Sequence, residues 1–323
     1  MSKQTTQKAL TKPIRFIDLF AGIGGFHLAF HRAGAECVFA SEWDEHARKT
    51  YEANWRKVSP GMFEKGHFAG DITLVNEKEM PDFEIITGGF PCQPFSHAGF
   101  KKGFGDQRGT LFHDIIRIMK EKRPAAFFLE NVSHLLKHDD GKTFEVIKKT
   151  IEKDLGYSFH YKIIRASDFN LPQHRARLFM VGFRNKNVLF QFPEPVKLTK
   201  TMSDIWGGKC EKKIGYTLRV GGRGSGIHDR RNWDTYVVDG EIKRLSPHEG
   251  KKMQGLPDDF IFPVTSTQAM KQLGNSVAVN AIQAVAQQII NSLEFYANRK
   301  QRGMERVLRV PKDSVGRETV RSR

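Results

Sequence analysis

Apolar residues fall along this chain in short runs, separated by amphipathic stretches and punctuated by glycine, proline and acidic residues. The first run, 14–20, has Asp18 inside it and is followed by a glycine turn, Ala21-Gly22-Ile23-Gly24-Gly25. A helical stretch then extends to about residue 33, and a second run, 37–41, ends at Glu42. Further runs at 83–87, 125–129, 157–165 and 178–183 have strand length. Helical periodicity occupies 44–55, 110–122 and 142–153, while 59–66 reads as a loop. Alternating strands and helices predict an α/β fold with a Rossmann-like sheet. After Arg184 the alternation stops, and prolines and glycines break up short segments to about residue 263. Here only 216–220 and 236–238 are strand candidates. A clean amphipathic helix ending near residue 296 is then expected to pack back on the first unit. The expected organisation is a catalytic domain over 14–185 plus 274–297, a small loop-rich domain with its hinge over 186–273, and a basic flexible tail over 298–323.

Composition adds a partner. The 323 residues carry a formal net charge of +16, which suggests a polyanion. Residues 199–252 hold 12 basic against 7 acidic residues, and 299–323 hold 9 against 3, so much of the excess lies in the last third. No apolar run approaches the roughly 18 residues of a membrane span. The polar, basic start has no secretory character. Cys37, Cys92 and Cys210 are too few and too scattered for a disulfide framework or a zinc site, so no metal is expected. A reducing, cytoplasmic compartment suits a reactive thiol.

The candidate chemistry sits at predicted strand ends. Gly88-Gly89-Phe90-Pro91-Cys92-Gln93-Pro94-Phe95-Ser96 follows the run at 83–87. The glycines and proline are expected to end that strand and leave Cys92 at a turn, where open α/β sheets bind ligands. An arbitrary lone cysteine is more often a small buried hydrophobe, but the flanking prolines and the glycine pair argue against a packed position. Residues 100–109 have no apolar period and form a candidate mobile loop able to close over a substrate. The strand, glycine turn and helix around Gly22 form a site for an anionic or nucleoside ligand. Glu42 follows Gly22 by the spacing of a ribose-gripping acid, yet His27 stands where a nicotinamide fingerprint needs its third glycine. Asp71 lies near another strand end. Glu130 closes the run at 125–129 and should face the same crevice as the thiol. Arg175 and Arg177 alternate in an extended segment, so both guanidiniums point one way, toward phosphate or carbonyl oxygens. Glycine-rich loops carry Arg219, Arg223, Arg230, Arg231 and Trp233, residues suited to guanine edges and phosphates.

The ordered set Asp18-Leu19-Phe20-Ala21-Gly22-Ile23-Gly24-Gly25, Glu42-Trp43, Gly70-Asp71-Ile72, Pro91-Cys92-Gln93, Glu130-Asn131-Val132, Gln173-His174-Arg175-Ala176-Arg177 and Gly274-Asn275-Ser276-Val277 resembles the bacterial DNA (cytosine-5)-methyltransferases of the restriction–modification kind, of the HhaI and HpaII type. The resemblance covers 14–185 and 242–292. The chain departs from the family pattern at His248-Glu249, at Lys251-Lys252, and in the short stretch between Arg184 and Arg244.

The resemblance implies an S-adenosylmethionine-dependent methyltransferase fold with a small target-recognition domain. It implies Cys92 as nucleophile, Glu130 and Arg177 on the cytosine, and Arg175 bracing the site or a nearby phosphate. Phe20 and Trp43 would flank the adenine of S-adenosylmethionine. The turn at Gly22, Gly24 and Gly25 would hold the cofactor, Glu42 its ribose and Asp71 its adenine amine, with Asn275 and Ser276 in support. The four loop arginines, in the region outside the shared motifs, are expected to meet DNA together with Ser96. The implied partners are double-stranded DNA and a paired restriction endonuclease, for a monomer that needs no membrane. The residues leave open an RNA cytosine methyltransferase, a non-catalytic DNA-binding regulator and an unrelated nucleotide-binding enzyme.

Overall fold

The computed structural model describes residues 12–90 and 111–301. Expectations for Cys92, Ser96, the loop at 100–109 and the tail beyond 301 lie outside the described residues.

The strands are β1 (Arg15–Leu19), β2 (Glu36–Ser41), β3 (Phe68–Ala69), β4 (Ile85–Gly89), β5 (Ala126–Val132), β6 (His160–Arg165) and β7 (Ala176–Phe183), in the sheet order β3-β2-β1-β4-β5-β7-β6. β1 to β5 run parallel, whereas β7 is antiparallel to both β5 and β6. The register brings the site together. Leu19 pairs with Ser41 and with Gly88, and Gly89 pairs with Glu130, so the carboxyl ends of β1, β2, β4 and β5 form one edge. Because β7 runs the other way, its first residues arrive at that edge, with Arg177 opposite Val132. Gly88 and Gly89 therefore continue the strand rather than ending it. The reason is steric: a Cβ on Gly88 would lie 2.9 Å from the carbonyl oxygen of Leu19.

Successive strand residues point to opposite faces. Phe16, Ile85 and Phe128 enter one buried cluster, and Ile17, Ile86 and Phe127 the other. The first cluster is covered by α1 (Gly25–Arg32) and by the C-terminal helix. Next in the chain are α2 (Glu45–Trp55), α3 (Pro60–Glu64), which occupies the expected loop, and α4 (Leu111–Lys122). α4 and α5 (Lys142–Lys149) bury Ile115, Ile118, Met119 and Ile147 in the second cluster.

Beyond β7 come α6 (Met202–Trp206), a two-stranded ribbon of β8 (Thr235–Val238) and β9 (Glu241–Arg244), α7 (Pro247–Gln254), α8 (Ser266–Asn275) and α9 (Val279–Gln301). The expected strand at 216–220 is absent, replaced by an isolated bridge between Gln173 and Gly215. Trp233 and Tyr236 are buried, and with Met202 and Leu245 they join the cluster that contains Phe16 and Phe30. The core thus runs without a break from the large sheet into the 186–273 segment. Among the described residues no helix is long and apolar enough to cross a membrane.

Two glycines separate steric from conformational cost. A Cβ at Gly182, inside β7, would lie 1.9 Å from the carbonyl oxygen of Ser158, whereas Gly34 has open space but a φ of +85°. Gly182→Ala should lower the unfolding free energy by about 2–4 kcal/mol and Gly34→Ala by about 1–2 kcal/mol, measured by urea unfolding. Equal losses would contradict the packing argument.

Candidate active site

The aligned strand ends open on a cleft of about 900 Å³. Its lining includes Phe20, Gly22, Glu42, Trp43 and Asp71 on one side and Gly89, Phe90, Glu130 and Arg177 on the other. Arg175, Gly274, Asn275 and Ser276 also line it.

On the first side the backbone is shaped by Glu42. Its carboxylate accepts from the N–H of Gly22 at 2.7 Å and from that of Asp44 at 2.8 Å. The first bond ties the glycine turn to the end of β2. The second sits one residue before α2, where Asp44 caps the helix by accepting from Ala47 N–H. Burial raises the Glu42 pKa, and the two N–H groups oppose that shift. The turn itself requires glycine at position 24. Its φ is +87°, and an added Cβ would lie 2.0 Å from Nε1 of Trp55, which donates to the Ile23 carbonyl. Phe20 also has a positive φ, 56°, rare for an aromatic residue and a mark of local strain where the strand meets the turn. Trp43 projects into solvent with 76% of its surface exposed. Asp71 caps a short turn, its Oδ1 accepting from the N–H and the hydroxyl of Thr73.

On the second side Glu130 is buried. Arg177 Nε lies 3.0 Å from Glu130 Oε1, a charge contact without hydrogen-bond alignment, and that oxygen has no hydrogen-bond partner. Desolvation raises the Glu130 pKa, against the pull of Arg177 and Arg175. Gly89 allows this approach of β4 to β5, since its Cβ would lie 3.2 Å from Glu130 Oε2. Asn131 donates to the Phe90 carbonyl at 2.9 Å and so pins the backbone just before the segment that carries Cys92. Arg175 is turned inward. It donates to the carbonyls of Leu218 at 3.1 Å, Gly274 at 3.0 Å and Ser276. Burial, then the charge of Arg177, lowers its pKa; a guanidinium so far above neutrality stays charged. Cys37 and Cys210 are buried free thiols whose pKa values burial raises, which disfavours the nucleophilic thiolate in both.

The loop arginines divide. Arg223 donates to the Leu245 carbonyl at 2.7 Å and lies 3.4 Å from Asp234, a wholly buried acid that Arg244 also approaches at 3.5 Å. Arg231 is exposed and paired with Asp229 at 2.8 Å. Arg230 and Arg219 are exposed, and the Arg219 backbone presses on Gly274. Trp233 is buried, with its indole N–H bonded to the Gly221 carbonyl, so it does not share the loop surface expected of it.

Ser41, Gln272 and Arg117 line the cleft beyond the residues expected from sequence, whereas Ser276 is among those expected. Ser41 Oγ, Gln272 Nε2 and Ser276 Oγ are buried without hydrogen-bond partners. Gln272 uses its other end to accept from Thr50. Arg117 on α4 is a further wall residue. Ser41 follows from its place before Glu42. Nothing in spacing singles out Gln272 or Arg117, because each sits on an ordinary helical face.

Comparison with known proteins follows this geometry. The family model described as C-5 cytosine-specific DNA methylase matches residues 14–220 and 215–291. The chain is 45% identical to Type II methyltransferase M.SsoII of Shigella sonnei, over 87% of this chain and 81% of that enzyme. It is 40% identical to M.HhaI of Haemophilus parahaemolyticus, over 87% and 96% respectively. Among solved structures, the S. pombe Dnmt2 methyltransferase superposes with a TM-score of 0.66 at 19% identity, covering 87% of this chain and all of that one, 100%. The Entamoeba histolytica methyltransferase EhMeth gives 0.60 at 17% identity, over 88% and 99%. With a methylase model matching across both the large sheet and the closing helices, the chain belongs to the C-5 cytosine-specific DNA methylase family.

Proposed function

We propose that the protein methylates C5 of a cytosine flipped out of a short specific sequence in double-stranded DNA, through a covalent bond between Cys92 and C6. The observation that carries this reading is the buried Glu130 beside Arg177, facing the same cleft as the turn held by Glu42. Family membership implies S-adenosylmethionine, and the cleft suits it. The turn at Gly22, shaped by Gly24, offers backbone, Trp43 and Phe20 offer aromatic faces, and Ser41, Gln272 and Ser276 hold unused polar atoms. Glu42 would grip the ribose, Asp71 the adenine amine, and Gly25, Asn275 and Ser276 would complete the wall. S-adenosylmethionine supplies an electrophilic methyl group when bound.

The remaining chemistry belongs to the chain. C5 of cytosine is a weak nucleophile until a thiolate adds to C6, and Cys92 is the residue to do so. A carboxyl with a raised pKa can keep the proton it gives to N3, which relieves charge on the adduct. Arg177 limits that rise and can donate to the cytosine carbonyl, while Arg175 holds the walls together. Loss of the C5 proton then lets the Cys92 thiolate leave. None of this is possible in a stacked duplex, so the base must leave the helix. Ser96, Arg219, Arg230 and Arg231 are proposed DNA contacts. The biological setting would be the bacterial cytoplasm, with a monomer protecting host DNA from a paired restriction endonuclease.

5-Fluorocytosine at the target should trap the enzyme after methyl transfer, because fluorine cannot depart as a cation. The adduct should require cofactor, survive denaturation, map to Cys92 by mass spectrometry, and vanish in Cys92→Ala but not in Cys37→Ala or Cys210→Ala. Mapping to another cysteine would remove the assignment. Glu130→Gln should slow adduct formation roughly 10²–10⁴-fold with little change in cofactor affinity; equal losses in both would place Glu130 outside the chemistry.

The loop arginines should part in a similar way. Arg230→Ala should weaken DNA binding, measured by titration at fixed salt, and leave the unfolding midpoint unchanged. Arg223→Ala should cost about 1–2 kcal/mol of stability, since it exposes the buried Asp234 charge to poorer compensation. Identical behaviour of the two variants would contradict that division.

A further inference from the structure

We propose that Arg117 is a positioning residue for the cofactor, which acts by clamping the turn that carries Asp71. The inference rests on the proposed reading of Asp71 as the partner of the adenine amine. Arg117 projects from α4 and lies mostly covered, with 18% of its side chain exposed. Its Nη2 donates to the carbonyl of Ile72 at 2.6 Å and its Nη1 to that of Val75 at 2.9 Å. These carbonyls belong to the first residue of the short turn, Ile72–Leu74, and the residue just after it. The guanidinium is itself fixed. Nε lies 2.8 Å from Asp114 Oδ1, one turn earlier on α4, and Nη1 also bonds the Glu77 carboxylate.

The turn is anchored in the core by the buried Ile72, and the guanidinium fixes the carbonyls of Ile72 and Val75 around its exposed residues. Asp71 is exposed, and the pair of bonds from Thr73 to its Oδ1 are local to the turn. Leu74, at 84% exposure, contributes almost no packing. The planar fork of a guanidinium can bond two carbonyls and two carboxylates together, which the single ammonium of lysine cannot reproduce. Arg117 and Asp71 both line the cleft, so the clamp acts on one wall of it.

The test is binding, not turnover. S-adenosylhomocysteine and its N6,N6-dimethyladenine counterpart, which lacks the amine donor, are titrated calorimetrically against the full-length chain. The wild-type protein should prefer the unmodified nucleoside roughly tenfold or more. Arg117→Lys should erase most of that preference while retaining a cooperative thermal transition, and Asp71→Ala should erase it too. Glu77→Gln, a milder change at the clamp's rim, should reduce it partially and serves if Arg117→Lys does not fold. Unchanged preference in the Arg117 and Glu77 variants, or an equal loss of affinity for both nucleosides, would overturn the proposal. Unchanged preference in Asp71→Ala would instead remove the adenine contact on which the proposal stands, a distinguishable failure.

Discussion

A carboxyl group taken out of water between guanidiniums is the constraint around which this molecule is arranged. Glu130 is buried, and its charge is tolerable only because Arg177 lies 3.0 Å away and Arg175 is close behind. Both arginines must reach the carboxyl end of β5. In a wholly parallel sheet the next strand would start at the opposite edge. The antiparallel β7 starts at the right one, so its first residues bring the cations in. Gly89 then pairs with Glu130, and Asn131 holds the Phe90 carbonyl next to the acid. The antiparallel β7 thus brings the cations to the acid, while desolvation still raises the carboxyl pKa against their pull.

The same motif joins the two parts of the chain. Gln173 donates to the Met253 carbonyl and accepts from the Leu218 N–H, while Arg175 binds the carbonyls of Leu218, Gly274 and Ser276. Each contact satisfies a backbone group that no strand or helix pairs, deep in the protein where an unpaired one would be costly. These bonds fasten the segment after Arg184 to the cleft wall. A change in the placement of residues 215–218 would be felt at Ser276, and through Arg175 near Glu130.

Much of this was legible in sequence. Apolar runs located the strands of the large sheet apart from the two-residue β3, because the central ones are buried and need continuous apolar segments, whereas the edge strand β6 is largely exposed. Glu42, Glu130 and Arg177 were legible because chemistry collects at strand ends. What escaped has physical reasons. Gly88 and Gly89 read as strand breakers, yet both pair within β4, where a Cβ on Gly88 would meet the Leu19 carbonyl. Trp233 reads as part of a surface loop, yet the core takes it, and Arg223, though exposed, also contacts the buried Asp234. Arg117 looked like any helix residue, since its partners lie some 40 residues away in the chain, Glu77 being 40 and Ile72 45 removed. Side-chain commitments of that range leave no local signature.

The central claim is that this cleft brings a cytosine and a methyl donor together on duplex DNA. It is tested most directly by supplying methyl-labelled S-adenosylmethionine with duplex DNA and, separately, with tRNA, then digesting each to nucleosides. Label is expected in 5-methyl-2′-deoxycytidine from the duplex, confined to one sequence context, and none from tRNA. Label in tRNA with none in DNA, or label on an exocyclic amine, would contradict that claim.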